Sequence, residues 1–252
     1  MTPNRADCLS VIGVARDLST IYKKKVLMPK AIKLPKKIQS HIKSVNEKIS
    51  TSYSILSINN FNNSCKTPKY ISDRLTISGV SQINFIVDVL NYVMIEVGQP
   101  MHVFDKDKLK GKLSVRFAKT GEKINALDDN EYSLTPQIPV IADNQGPQAI
   151  AGVIGSNTSS VDKDSTSIII ESAFFNQNLI RKSSKIYRLQ TESSYRFERG
   201  VDPLLNNYAL GRVLKIIKDS VEINKYELSC ISSKSIAPHI GKTISMNLNE
   251  FE

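Results

Sequence analysis

Apolar residues return every three or four positions at the start of the chain. Leu9, Ile12, Ala15 and Leu18 fall on one helical stripe behind Thr2 and Pro3, residue types that suit an N-cap and a first helical position. Residues 3–22 are therefore predicted to form an amphipathic helix. Residues 22–37, rich in Lys and broken by Pro29 and Pro35, read as a linker. Residues 41–65 are polar and carry the patch SINNFNNSC, which offers turns and loops. A second helical stripe, Ile83, Val87, Leu90, Met94 and Val97, widened by Ile86 and Val93, predicts a helix over 81–98. Ser81 is placed to cap it, Gly98 to end it and Pro100 to bar its continuation.

Beyond residue 100 the period falls to two. KLSVRFAKT alternates like a strand, DDNEYSL holds a turn signal, and PVIADNQGPQAIAGVIGS reads as two short strands joined at Asn144–Pro147. STSIIIESAFF is an apolar run of strand length. Residues 177–189 and 203–221 read as helices, the first of them basic. The alternation of Tyr195, Phe197 and Arg199 in TESSYRFERG predicts strand or extended chain, and ISMNLNEFE alternates at the end. Strands and helices mix without a regular βαβ repeat, so the fold class is α+β, with mixed sheets and packed helices.

Charge adds a possible partner. The 252 residues carry 34 Lys and Arg against 24 Asp and Glu, a net +10. Such a surplus suits a polyanion, because neutralising phosphates releases counterions. A Lys-, Ile- and Asn-rich composition from an AT-rich genome gives the same surplus without a partner. Cys8, Cys65 and Cys230 lie far apart without a CxxC pair, which speaks against a zinc site or a disulfide framework. No apolar run has transmembrane length and the N-terminus is no signal peptide, so a soluble cytoplasmic protein without a membrane is expected.

Familiar catalytic motifs are absent: no P-loop, GxGxxG, HExxH or GxSxG. His41 and His239 read as solvated surface. His102, in GQPMHVFD, follows a helix stop that fixes its position, and it reads as either structural or functional. Asp105 is placed to orient its ring or to cap the next turn. Glu171 closes the apolar run SIIIES, where a carboxylate requires either an ion pair with a neighbouring cation or a cavity to face. Arg181, Lys182, Lys185 and Arg188 share one helix and suit either phosphate contact or a solvated face. In TESSYRFERG the aromatics and arginines suit either base stacking or a core edge.

In order along the chain, TPNRADCLSVIGVARDLS, INFIVDVLNYVMIEVGQPMHVFDKDKL, IADNQGPQAIAGVIGS and IIIESAFFNQNLIRKSSKIYRLQTESSYRFERGVDP resemble the B3/B4 region of the bacterial phenylalanyl-tRNA synthetase β subunit. The resemblance implies a two-subdomain B3/B4-like architecture over 41–235. It implies a piece of a preceding domain plus a basic linker over 1–40, and the start of a B5-like domain over 236–252, with both ends cut. It further implies an editing activity that hydrolyses tyrosine wrongly esterified to phenylalanine tRNA. The partners implied are that tRNA and the synthetase α subunit, in a heterotetramer. No cofactor and no metal are expected in the fragment, since ATP and Mg serve only the whole synthetase.

On the matched positions, the resemblance assigns His102 and Glu171 to catalysis, and Pro100, Gly155, Thr191 and Ser193 to the substrate pocket. Glu171 would accept the phenol proton. A pocket that hydrogen-bonds a hydroxyl rejects the ligand lacking it. Gly155 would let backbone approach the substrate, and Thr191 would shape the ring pocket. His102 would position the terminal adenosine or a water. The chain departs from the family at Ser81, Phe85, Leu90, Ser156 and Ser193, where the family commonly has Arg, Asn, Thr, Gly and Ala. Those departures leave a second reading open: a structural and tRNA-binding scaffold with weakened editing.

Overall fold

The computed structural model describes residues 2–34, 41–223 and 225–232, with the isolated positions 243 and 245. His239, Pro35, the alternation at the C-terminus and the expected domain start at 236–252 lie outside the described residues, those two positions aside.

The chain opens with a 3-10 turn, Ala6–Leu9, and helix α1, Val11–Tyr22. Ser10 caps α1 by accepting from the Gly13 N–H at 3.0 Å, so the cap is Ser10 and not Thr2. Strands β1 (Ile42–Val45) and β2 (Ser50–Asn59) follow, then helices α2 (Lys69–Ile77) and α3 (Phe85–Val97). Next come β3 (Met101–Asp105), β4 (Leu113–Phe117), the hairpin β5 (Lys123–Asn125) and β6 (Glu131–Ser133), β7 (Pro139–Ala142), β8 (Pro147–Ile150) and β9 (Ile154–Gly155). The long strand β10 (Ile168–Phe175) leads into helices α4 (Gln177–Tyr187), α5 (Glu192–Phe197) and α6 (Asn206–Ser220), and β11 (Lys225–Ser232) closes the series.

Two larger sheets form. One is antiparallel, in the order β11-β2-β10-β3; the other runs β1-β4-β7-β8-β9, with only β1 and β4 parallel. The four-stranded sheet is buried on both faces, and the two-residue period of its strands sorts side chains between them. Leu56, Ile58, Val103, Ile168 and Ile170 pack with α2, α3 and α6. Tyr53, Ile55, Phe104, Ile169 and Ala173 pack toward the five-stranded sheet. Glu171 lies on the second face, between Ile169 and Ala173.

β2 falls where turns and loops are expected from sequence. Two of its serines are satisfied by α6: Asn206 donates to Ser52 Oγ at 2.8 Å, and Ser54 Oγ donates to Asn207 Oδ1 at 3.1 Å. Polar residues can occupy a buried central strand when a facing helix supplies their partners.

TESSYRFERG is helical in part rather than extended. Thr191 accepts from the Ser194 N–H at 3.0 Å while Ser194 Oγ accepts from the Thr191 N–H at 2.9 Å, a reciprocal cap that starts α5. Its arginines are internally engaged. Arg196 pairs with Glu192 at 2.6 Å and donates to Leu9 O, and Arg199 lies 3.5 Å over the Tyr195 ring. Phe197 packs edge-on against Phe175, with centroids 5.1 Å apart. The core-edge alternative holds for this segment.

Candidate active site

Helix α3 delivers the first wall. Asn84, not Ser81, caps it by accepting from the Val87 N–H at 3.1 Å, and Gly98 ends it at φ 86°. Gly98 takes the left-handed conformation at little steric cost, and the chain then turns into β3. Val87, Leu90 and Asn91, the last two lying three and four positions after the first on one helical face, line a cavity of about 310 Å3. That volume lies at the small end of ligand pockets and suits a ligand of amino-acid size.

The floor is the pairing of β3 with β10. Met101–Asp105 runs antiparallel to Ile168–Ser172, and the register sets His102 directly opposite Glu171. Opposed residues in such a pair carry their side chains on one face, with Cβ atoms roughly 4.5–5.5 Å apart. Both line the cavity. Neither side chain makes a hydrogen bond or ion pair among the described residues; the His102 ring meets one other ring, that of Phe104, edge-on at 4.5 Å. The ion-pair alternative for Glu171 therefore does not hold. Asp105 points to the other face. It accepts from Ser165 Oγ at 2.6 Å and from the Asp107 N–H at 2.9 Å, so it caps the turn and leaves His102 alone.

Burial sets the charge state of both groups. Glu171 is 4% exposed, and desolvation pushes its carboxyl up to about 8. Desolvation also pulls the His102 imidazole down to about 4. At neutral pH the pair is mainly a protonated carboxyl facing a neutral imidazole. Tyr53, fully buried on the same sheet face, has a hydroxyl with no partner; burial first, and Glu171 second, hold its pKa well above the usual phenol value.

Turn 151–153 and strand β9 form the opposite wall. A Cβ built on Gly155 would stand 2.3 Å from His102 Cε1 and 2.5 Å from Nε2. What the missing side chain admits is thus the imidazole, which rests against the Gly155 backbone. Thr191 also lines the cavity, but its hydroxyl is committed: it donates to Val153 O at 2.8 Å while capping α5. Thr191 therefore holds α5 to the β8–β9 turn. Ser193 faces the cavity with no partner for its hydroxyl among the described residues. Pro100 completes the set, so all six sequence-predicted residues line one pocket.

The departures divide. Leu90 and Ser193 line the cavity; Ser81 and Phe85 do not. Ser81 is exposed, and Phe85 is buried on the helical side, stacked on Phe61 with centroids 5.9 Å apart. Ser156 is absorbed into the scaffold: its hydroxyl donates to Asn125 O at 3.0 Å and ties β9 to the hairpin. His41 is not solvated. Its side chain is 16% exposed with Nε2 3.5 Å from Glu227 Oε2, and burial lowers its pKa.

Asn91, Asn84, Leu127 and Ser160 also line the pocket and were not singled out from sequence. Asn91 had a legible signal: it is the polar residue four positions after Val87 on an otherwise apolar stripe. Leu127 had none, because the hairpin turn reaches the pocket through non-local bonds, among them the Leu127 N–H to Gly155 O at 3.0 Å.

The chain belongs to the B3/4 domain family, which matches residues 50–222. Among individual proteins it is similar to the phenylalanine--tRNA ligase beta subunit of Francisella tularensis, 41% identical over 252 residues, covering 99% of this chain and 31% of that protein. The phenylalanine--tRNA ligase beta subunit of Aquifex aeolicus is 42% identical over 229 residues, covering 89% and 29%. The chain spans less than a third of the length of these curated relatives. A crystal structure of an N-terminal fragment of the phenylalanyl-tRNA synthetase beta subunit from Pyrococcus horikoshii matches at a TM-score of 0.44 and 15% identity, over 91% of this chain and 61% of that one. Among the described residues, no helix is long and apolar enough to cross a membrane.

Proposed function

We propose that residues 41–235 form an editing unit that hydrolyses the ester of tyrosine wrongly joined to phenylalanine tRNA. The observation that carries this reading is the unpartnered Glu171 carboxyl, buried in a mainly apolar pocket opposite His102. Tyrosine and phenylalanine differ by one hydroxyl. A buried carboxyl without a partner gains a hydrogen bond from the first ligand and none from the second. The preference survives protonation, because a neutral carboxyl still offers its carbonyl oxygen to the phenol O–H.

Hydrolysis requires a water oxygen to attack the acyl carbon. The ester C–O bond then breaks, and the ribose oxygen leaves with a proton. The neutral His102 imidazole, fixed against Gly155, accepts a hydrogen bond from that water and orients it. A site titrating at about 4 is a weak base, so His102 contributes mainly position. Thr191 holds the wall in place through Val153.

The reading sets the chain in the cytoplasm as part of a synthetase β subunit, beside an α subunit in a heterotetramer. ATP and Mg belong to synthesis elsewhere in that assembly. The scaffold reading draws on Leu90 and Ser193 in the pocket wall, but neither fills the cavity.

The test is deacylation of phenylalanine tRNA charged with tyrosine or with phenylalanine. The chain should release tyrosine faster than phenylalanine. Glu171→Ala should erase the difference, and His102→Ala should slow both. Release no faster than in buffer, and unchanged in both variants, sinks the proposal.

A further inference from the structure

We propose that the exposed face of α4 is the surface on which the RNA backbone rests as its end enters the pocket; this builds on the editing reading and names where the nucleic acid lies. Arg181, Lys185 and Arg188 are spaced four and three apart, so they form one stripe along the helix. At 1.5 Å per residue the stripe is roughly 10 Å long. All three are exposed, and none makes an ion pair or hydrogen bond from its side chain among the described residues. Lys182 differs, being engaged by Gln137. No acidic residue occurs anywhere on the helix. Some exposed cations elsewhere do have acids within reach, such as Lys69 with Asp73 and Lys123 with Glu131.

Position gives the stripe its meaning. Its C-terminal turn is clamped between two walls of the pocket. On one side, Tyr187 Oη donates to Ser133 O at 3.0 Å and its ring meets Tyr132 at 5.4 Å, on the hairpin whose turn carries Leu127 into the cavity. On the other side, Arg188 lies three residues before Thr191, where α5 begins with Thr191 and Ser193 in the pocket wall. Free cations flanking a cavity for an aminoacyl ester suit the phosphates of the strand that bears the ester. Their contacts are sequence-independent, release counterions and weaken with salt.

Binding of phenylalanine tRNA transcript, followed by fluorescence anisotropy across a salt series, tests the proposal without depending on catalysis. Arg181→Gln, Lys185→Gln and Arg188→Gln together should raise Kd about tenfold near 0.1 M salt and flatten the log Kd against log salt slope by about 2. The charge-keeping set Arg181→Lys, Lys185→Arg and Arg188→Lys should restore both. An unchanged Kd and slope in the Gln set, or failure of the charge-keeping set to restore them, overturns the surface. Hydrolysis of 3′-O-tyrosyl adenosine by the unaltered chain reports on the pocket alone. Its absence would count against the editing reading and leave the binding result to decide the surface.

Discussion

Glu171→Gln replaces a buried carboxyl with a neutral group of nearly the same shape, and its effect on stability should depend on pH. The folded carboxyl titrates at about 8, against 4.5 for an ordinary glutamate. Between those values the folded chain holds a proton that the unfolded chain has released. Stability contributed by this site is therefore full below pH 4.5, falls as pH rises through the window, and levels off above 8. Each pKa unit corresponds to about 1.4 kcal/mol, so the whole loss is roughly 5 kcal/mol, with roughly 4 of it between pH 5 and pH 9. A domain is typically stable by about 5–15 kcal/mol, so the change is large enough to read. Glutamine cannot ionise and loses none of it. Urea unfolding at pH 5, 7 and 9 should show the variant within about 1 kcal/mol of the parent at pH 5 and several kcal/mol more stable at pH 9. Parallel pH profiles for the two chains would refute the claim that Glu171 is buried without a counter-charge.

Other parts of the site give sharper mechanical tests. Gly155→Ala should push the His102 ring out of place and lower hydrolysis about 100-fold, since misplacement of about 1 Å carries that penalty; a stability change confined to about 1–3 kcal/mol would accompany it, and an unaltered rate would show that the ring's seat is irrelevant. Thr191→Ala removes the cap of α5 and the donor to Val153 O, so thermal unfolding should report a loss of about 1–3 kcal/mol, with no loss counting against the cap. Arg188 sits at φ 53° at the end of α4, so Arg188→Gly should stabilise the chain by about 1 kcal/mol in the same assay. Because His102 titrates near 4, the hydrolysis rate should show no histidine step between pH 5 and pH 7; a step near 6.5 would mean the imidazole is solvated.

What the sequence made legible follows from which interactions are local. The end of α3 at Gly98 and the start of β3 were readable because both depend on residues within a few positions. β10 was readable because a strand buried on both faces is a continuous apolar run. β2 was not, since Ser52 and Ser54 find their partners in Asn206 and Asn207, some 150 positions away in α6. α5 was misread because period-two aromatics in six residues suit a helix as well as a strand, and the reciprocal Thr191–Ser194 cap decides between them. The six pocket residues were named through motif resemblance; their convergence depends on the β3–β10 register, which no local signal specifies. Periodicity alone left His102 and Glu171 undecided.

Placement on the helices explains why the departures at 81 and 85 matter less than those at 90 and 193. A residue of α3 or α5 touches the pocket only if it lies on the pocket-facing side of its helix. Phe85 turns to the opposite side and strengthens the helical core against Phe61, while Ser81 lies before the helix begins. Leu90 presents an apolar side chain to the cavity, and Ser193 presents a hydroxyl on the other wall. Leu90 offers no acceptor, and the Ser193 hydroxyl is only half-buried, whereas the buried Glu171 accepts from a phenol whether protonated or ionised. Selectivity between tyrosine and phenylalanine should therefore follow residue 171, and the rate should follow the fit of the ring between Leu90 and Ser193. Ser193→Ala should change the rate for both esters by similar factors and leave their ratio intact; a changed ratio would assign hydroxyl reading to Ser193 instead.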